Sequence, residues 1–207
     1  MRIIAGRFKN SHIYTPKDGS ITRPTTDRTK EAIFSRLDSW GILDQARVLD
    51  LFAGTGALGF EALSRGAQAL TAVEAHGQVV SCIRRTAGDL LAKDGSLNIR
   101  IIKKKAELYL AAGPDHSSLQ GAGSHKASLL PATVVFMDPP YAVSSQDCSH
   151  MVALLAERGW MADDAVLIVE RSARSEAVMA PQGWEITDSR LYGETRVDYL
   201  GHCRNGV

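Results

Sequence analysis

The stretch Val48-Leu49-Asp50-Leu51-Phe52-Ala53-Gly54-Thr55-Gly56-Ala57-Leu58-Gly59 decides the fold. Its first half is a short apolar run of the kind a strand buried on both faces requires. Its second half is a glycine-rich turn opening a helix, which Gly66 is placed to end after Arg65. Downstream, 70–73 (ending at Glu74), 97–102, 133–137 and 165–170 read as further strands, with helices expected over 78–91, 106–111 and 146–158. Strands alternating with helices imply a mostly parallel, Rossmann-like α/β sheet with right-handed crossovers and helices on both faces. Residues 184–191 and 195–200, either side of Gly193, read as a terminal hairpin that adds an antiparallel strand.

Upstream, 2–6 and 12–14 are strand-like runs around a turn, which predicts a small β-hairpin. A loop over 16–24 leads to a helix over about 26–40, whose start Thr25, Thr26 and Asp27 can cap. The organisation expected is a basic arm over 1–25 and a single domain over 26–207. Within that domain, 113–130 is rich in Gly, Ser, Ala and His and reads as a flexible insertion.

Composition narrows the function. With 207 residues, 44% of them hydrophobic and 23% charged, the chain can bury a core without disulfides or metals. No apolar run is long enough for a membrane helix, and the first residues turn polar too soon for a signal peptide. Cys82, Cys148 and Cys203 lie far apart with no CxxC, so neither a disulfide framework nor a zinc site is expected, and a reducing cytoplasm fits. The net charge of +1 conceals an asymmetry: residues 1–36 carry +5 and the rest −4. A basic arm on an acidic body is a polyanion-binding pattern, the alternative being a solvated surface.

Two motifs carry chemistry. Gly54-x-Gly56-x-x-Gly59, with Glu74 twenty residues after Gly54, has the form of a dinucleotide fingerprint. The glycines let a loop approach its ligand, and the carboxylate accepts from ribose hydroxyls. Asp50, at the strand end, would repel a pyrophosphate but suits a cofactor carrying an ammonium and a sulfonium, which points to S-adenosylmethionine. A tight strand-to-helix turn with a capping acid is the plainer alternative.

The second motif is Asp138-Pro139-Pro140-Tyr141, directly after a β-branched strand. The exocyclic amine of a nucleobase is a poor nucleophile because its lone pair is delocalised into the ring. A carboxylate and a rigid backbone carbonyl that accept both N–H bonds draw that nitrogen toward tetrahedral geometry. The prolines fix these acceptors in advance, and Tyr141 offers a face on which a base can stack. In a doubly wound sheet both motifs open on one carboxyl edge, at the switch point.

Four stretches in order resemble the class I S-adenosylmethionine-dependent methyltransferases, and more closely the RsmD family of bacterial 16S rRNA guanine-N2 methyltransferases. They are Arg2-Ile3-Ile4-Ala5-Gly6-Arg7, Thr22-Arg23-Pro24-Thr25-Thr26-Asp27-Arg28, Asp50 to Gly59 with Glu61-Ala62-Leu63-Ser64-Arg65-Gly66, and Asp138 to Tyr141. The resemblance implies a seven-stranded sheet with an N-terminal extension near the catalytic edge. It also implies action on 16S rRNA during small-subunit assembly, and a monomer is expected.

Residues and resemblance together assign catalysis to Asp138, Pro139, Pro140 and Tyr141. They assign the cofactor to Asp50, Phe52, Ala53, Gly54, Thr55, Gly56, Glu74, Ala75, Ala106 and Asp138. RNA falls to Arg7, Lys9, Arg23, Thr25 and Arg28, and no metal is expected. His76 and Lys105 depart from the family pattern, which leaves adenine recognition to backbone groups near Ala106. Lys103-Lys104-Lys105 reads either as RNA-facing or as a solvated strand end. The competing functions are DNA adenine-N6 or cytosine-N4 methylation, an NAD-dependent oxidoreductase and a non-catalytic RNA-binding module. The oxidoreductase leaves Asp138 to Tyr141 unexplained.

Overall fold

The computed structural model describes residues 1–16, 27–114 and 130–203. Arg23, Thr25 and most of the expected insertion lie outside them. Five helices and seven strands follow in the order α1 (Asp27–Trp40), β1 (Arg47–Leu51), α2 (Ala57–Ser64), β2 (Ala69–Glu74), α3 (Gly77–Lys93), β3 (Asn98–Lys103), α4 (Ala106–Ala111), β4 (Ala132–Met137), α5 (Ser145–Glu157), β5 (Met161–Ser172), β6 (Trp184–Tyr192) and β7 (Thr195–His202). The strands form a seven-stranded sheet ordered β3-β2-β1-β4-β5-β7-β6. Strands β1 to β5 run parallel, and β7 enters antiparallel between β5 and β6. This is the architecture the sequence predicts, and no helix among the described residues is long and apolar enough to cross a membrane.

Period-two alternation sorts the strand side chains between two cores. Val48, Leu70, Val134, Phe136 and Ile168 pack with α1, α2 and α3. Leu49, Leu51, Val73, Val135, Met137, Leu167 and Val169 pack with α4 and α5. Covered on both faces, these strands must be nearly all apolar. Asp50 is the buried charged residue of β1, which marks it for function.

The N-terminal segment forms no two-stranded ladder. A single antiparallel bridge, Arg2 to His12, closes a loop, helped by Ile3 N donating to Ser11 O at 3.1 Å and Ile13 N to Met1 O at 2.9 Å. Side-chain burial explains this: Ile3, Phe8 and Ile13 are buried in the core of the α1–α3 face. The loop is strapped to α2. The fully buried Glu61 accepts from Ile4 N at 2.7 Å and Ala5 N at 3.0 Å, while Ser64 Oγ accepts from Phe8 N at 2.9 Å. At Gly6 (φ 79°) a Cβ would stand 2.0 Å from Ser64 O, so only glycine fits.

Strand β5 begins four residues before the predicted 165, because Met161 pairs with Ala132 across an irregularity that the exposed Asp163 and Asp164 mask in the sequence. Trp160 and Trp184 are buried, whereas Trp40 is 39% exposed and sets its ring edge-on to Tyr199.

Candidate active site

The carboxyl ends of β1, β2, β4 and β5 open on one cavity of about 610 Å³. Volumes of this order hold cofactor-sized ligands. Its walls bring together Asp50, Phe52, Ala53, Gly54, Thr55, Glu74, Ala75, Ala106 and Asp138 to Tyr141. Two motifs more than 80 residues apart thus share one space.

The chain leaves β1 through Phe52, whose φ of 60° is unusual for a bulky residue and swings the loop across the strand end. Ala53 N donates to Val73 O at 3.0 Å. Gly54 N donates to Glu74 Oε2 at 3.0 Å, and His76 N donates to Glu74 Oε1 at 2.7 Å. Glu74 therefore ties the loop after β1 to the loop after β2.

The three glycines have different duties. Gly54 (φ 53°) lines the cavity. Gly56, expected to touch the cofactor, instead precedes α2, with φ 76° and a Cβ position 2.6 Å from the Phe60 ring. Gly59 lets α2 settle on the sheet, since a Cβ there would meet Leu70 at 2.5 Å. The fingerprint is half contact and half packing.

Register sets the depth of each acid. Leu51 is level with Val73 on β2 and with Met137 on β4, and Met137 is level with Val169 on β5. One residue further on, Glu74, Asp138 and Glu170 stand at one height. Asp50 lies two residues lower, about 7 Å down at strand rise. It forms the cavity floor, buried, with Gly59 N donating to Oδ2 at 3.0 Å. Burial pushes its carboxyl up to about 7; the Gly59 hydrogen bond opposes this, and the Asp138 and Glu74 charges add to it.

A cation docking on this floor requires the ionised form, so below pH 7 a proton must first leave. The affinity of a sulfonium- and ammonium-bearing ligand will therefore rise with pH, by up to about tenfold per unit between pH 5.5 and 7, and flatten above. Calorimetric titration in buffers of different ionisation enthalpy will show the proton released. Asp50→Asn will bind more weakly at pH 7.5 and lose the slope.

At the other end, Pro139 is buried and Tyr141 is 59% exposed, presenting its ring at the mouth. Val143 N donates to Pro140 O at 2.9 Å, closing the turn. The buried Arg171 pins its far end, donating to Val143 O at 2.9 Å and to Ser145 Oγ at 3.4 Å. Glu170, Arg171 and Thr195 complete the wall beyond Asp138. Sequence reasoning missed all three. The available signal was Glu170-Arg171 ending an apolar run as Asp138 ends β4.

Of the residues expected to face RNA, the described ones, Arg7, Lys9 and Arg28, lie on two separate segments. Arg7 pairs with Asp94 at 2.7 Å, beyond the far end of α3. That helix starts beside the cavity and runs 17 residues, about 25 Å, away from it. Lys9 is exposed on the same turn, and Arg28 is exposed on the first turn of α1. Lys30, counted in the +5 of residues 1–36, is buried. Lys104 and Lys105 instead line the cavity. Among the described residues no group of three or more His, Cys, Asp or Glu is arranged to hold a metal ion.

A family model described as Conserved hypothetical protein 95 matches residues 1–201. The chain is 31% identical to ribosomal RNA small subunit methyltransferase D of Escherichia coli (strain K12), over 94% of this chain and 86% of that one. The solved structure of the Escherichia coli protein yhhF, 28% identical, covers 99% of both chains with a TM-score of 0.79. Magnesium protoporphyrin IX methyltransferase from Synechocystis PCC 6803, solved with bound S-adenosylmethionine, shares the fold at 16% identity and a TM-score of 0.58, over 84% of this chain and 77% of that one. The sheet order, the cavity joining the two motifs and these likenesses agree: the chain belongs to the RsmD family of class I methyltransferases.

Proposed function

We propose that the protein transfers a methyl group from S-adenosylmethionine to the exocyclic N2 amine of a guanine in 16S rRNA, within an assembling small subunit. The observation that carries this reading is the single cavity in which the Gly54 loop, the Asp50 floor and Asp138-Pro139-Pro140-Tyr141 meet.

The donor set fits the cofactor. Glu74, Asp50, Phe52, Leu58 and Val79 line the cavity; the Glu74 carboxylate would accept from ribose hydroxyls and the Asp50 carboxylate would meet a positive charge, against an apolar wall. When bound, S-adenosylmethionine supplies an electrophilic methyl group on a sulfonium.

The chain's own residues do the rest. Asp138 and the Pro139 carbonyl accept the two N–H bonds of the amine, localising its lone pair toward the methyl group. The prolines hold these acceptors in place, so little reorganisation remains for the reaction. Tyr141 stacks on the extruded base. With the methyl group delivered from the bound cofactor, Asp138 or water would take the amine's surplus proton. Lys104 and Lys105 line the same cavity after β3, on the side away from Asp138. Contact with RNA phosphates falls to Arg23, Thr25 and Arg28 by the family resemblance.

The test is methyl transfer from labelled cofactor to naked 16S rRNA, assembled 30S particles and DNA, with the modified nucleoside identified. The expected product is N2-methylguanosine from an RNA substrate. Label on adenine N6 or cytosine N4 of DNA, or none on any nucleic acid, overturns the reading.

A further inference from the structure

We propose that Glu170 selects guanine by accepting the ring N1–H while Asp138 accepts from the neighbouring N2 amine. This rests on the reaction proposed above and adds the residue that chooses the base.

The placement follows from register. β4 and β5 are parallel neighbours, and Phe136 pairs with Ile168 and Met137 with Val169. Glu170 follows Val169 on β5 and Asp138 is the first residue after β4, so the spacing of neighbouring strands, about 4.8 Å, sets the two backbones side by side. Phe136 and Ile168, two residues earlier, both pack on the α1–α3 face, so the two carboxylates continue on that same face. Both line the cavity. Glu170 lies on the side of Asp138 away from Asp50 and Glu74. The cofactor end is therefore β1 and β2, and the space over β5 is left for the substrate base.

The chemistry then discriminates. Guanine presents two adjacent donors on its Watson–Crick edge, the ring N1–H and the N2 amine. Two neighbouring carboxylates match them, and the longer glutamate side chain lets both converge on one base. Adenine and cytosine each present a ring-nitrogen acceptor beside their amine. That lone pair would face the Glu170 carboxylate, setting acceptor against acceptor in a partly dry site. Sites built to receive an N–H reject analogues that lack it far more strongly than apolar pockets reject a missing methylene.

2-Aminopurine isolates this contact, because it keeps the 2-amine but has an acceptor at N1 and no N1–H. The mapped target guanine is replaced by 2-aminopurine in ligated 16S rRNA, which is then assembled into 30S particles. Wild-type enzyme is expected to prefer guanine over 2-aminopurine by about a hundredfold in kcat/KM. Glu170→Gln, whose amide can accept or donate, is expected to shrink this preference at least tenfold, with unchanged calorimetric affinity for S-adenosylmethionine. Base extrusion gives a second readout: with S-adenosylhomocysteine bound, 2-aminopurine fluorescence should rise more with Glu170→Gln than with wild type.

A preference in Glu170→Gln equal to that of wild type, or a wild type indifferent to the replacement, overturns the assignment. Absence of wild-type transfer to guanine is a separate result, which strikes the proposed reaction instead.

Discussion

Replacing Asp138 by alanine will lower the single-turnover rate of methyl transfer by about four orders of magnitude, with S-adenosylmethionine affinity within about threefold of wild type. Two functions disappear together. The carboxylate no longer accepts from the amine, and preorganised contacts of this kind are each worth about 10²–10³ in rate. The nearby proton acceptor is also lost, and general-base contributions typically run to about 10² or more. Asp138→Asn keeps an acceptor oxygen but no charge, so it should fall between, about 10- to 100-fold below wild type. Cofactor binding survives because Glu74 and Asp50 belong to β2 and β1. Removing the Asp138 charge should also relax the carboxyl on the floor, one of whose upward pushes it supplies. The check pairs quenched-flow rates with calorimetry. Transfer by Asp138→Ala at the wild-type rate would remove this residue from the chemistry.

Glu61→Ala will cost about 3–5 kcal/mol of folding stability, the range for removing one partner from a buried charged cluster. Glu61 is fully buried and accepts from Ile4 N, Ala5 N and Arg65 Nε, the last at 2.9 Å. Alanine strands two backbone donors and, among the described residues, leaves Arg65 with Asp38 as its paired acid. Glu61→Gln keeps one acceptor oxygen and should lose roughly half as much. Urea denaturation measures both variants, and hydrogen exchange at Ile4 and Ala5 localises the loss. A Glu61→Ala protein as stable as wild type would refute the clamp.

This clamp bears on what could be read in the chain beforehand. Two of the stretches that carry the family resemblance, Arg2 to Arg7 and Glu61 to Gly66, turn out to be the two halves of one contact. Taken singly they look like a basic arm and the end of a helix. Their meaning is tertiary: Gly6 is required by the closeness of Ser64 O, and Glu61 by two amides 56 and 57 residues away. A count of charges cannot show that Lys30 is buried, that Arg7 is paired with Asp94, or that Arg36 is paired with Asp188.

The strand-helix rhythm was legible because burial on both faces forces apolar runs such as 133–137, and the loop glycines and prolines punctuate them. The acids at strand ends were legible where a motif surrounded them, as with Asp50, Glu74 and Asp138. Glu170 had no such frame. Only the register between β4 and β5 puts it beside Asp138. The same holds for Gly56 and Gly59, whose contacts with Phe60 and Leu70 depend on how α2 lies on the sheet.

The sunken position of Asp50 has a bearing on turnover. Under the proposed reaction the cofactor arrives with a charged sulfur and leaves with a neutral one. A floor carboxylate flanked by two further acids attracts the first far more than the second. The step that makes the product thus weakens its hold at the moment departure becomes useful. Electrostatic attraction fills the cavity, and discharge of the sulfonium helps to empty it.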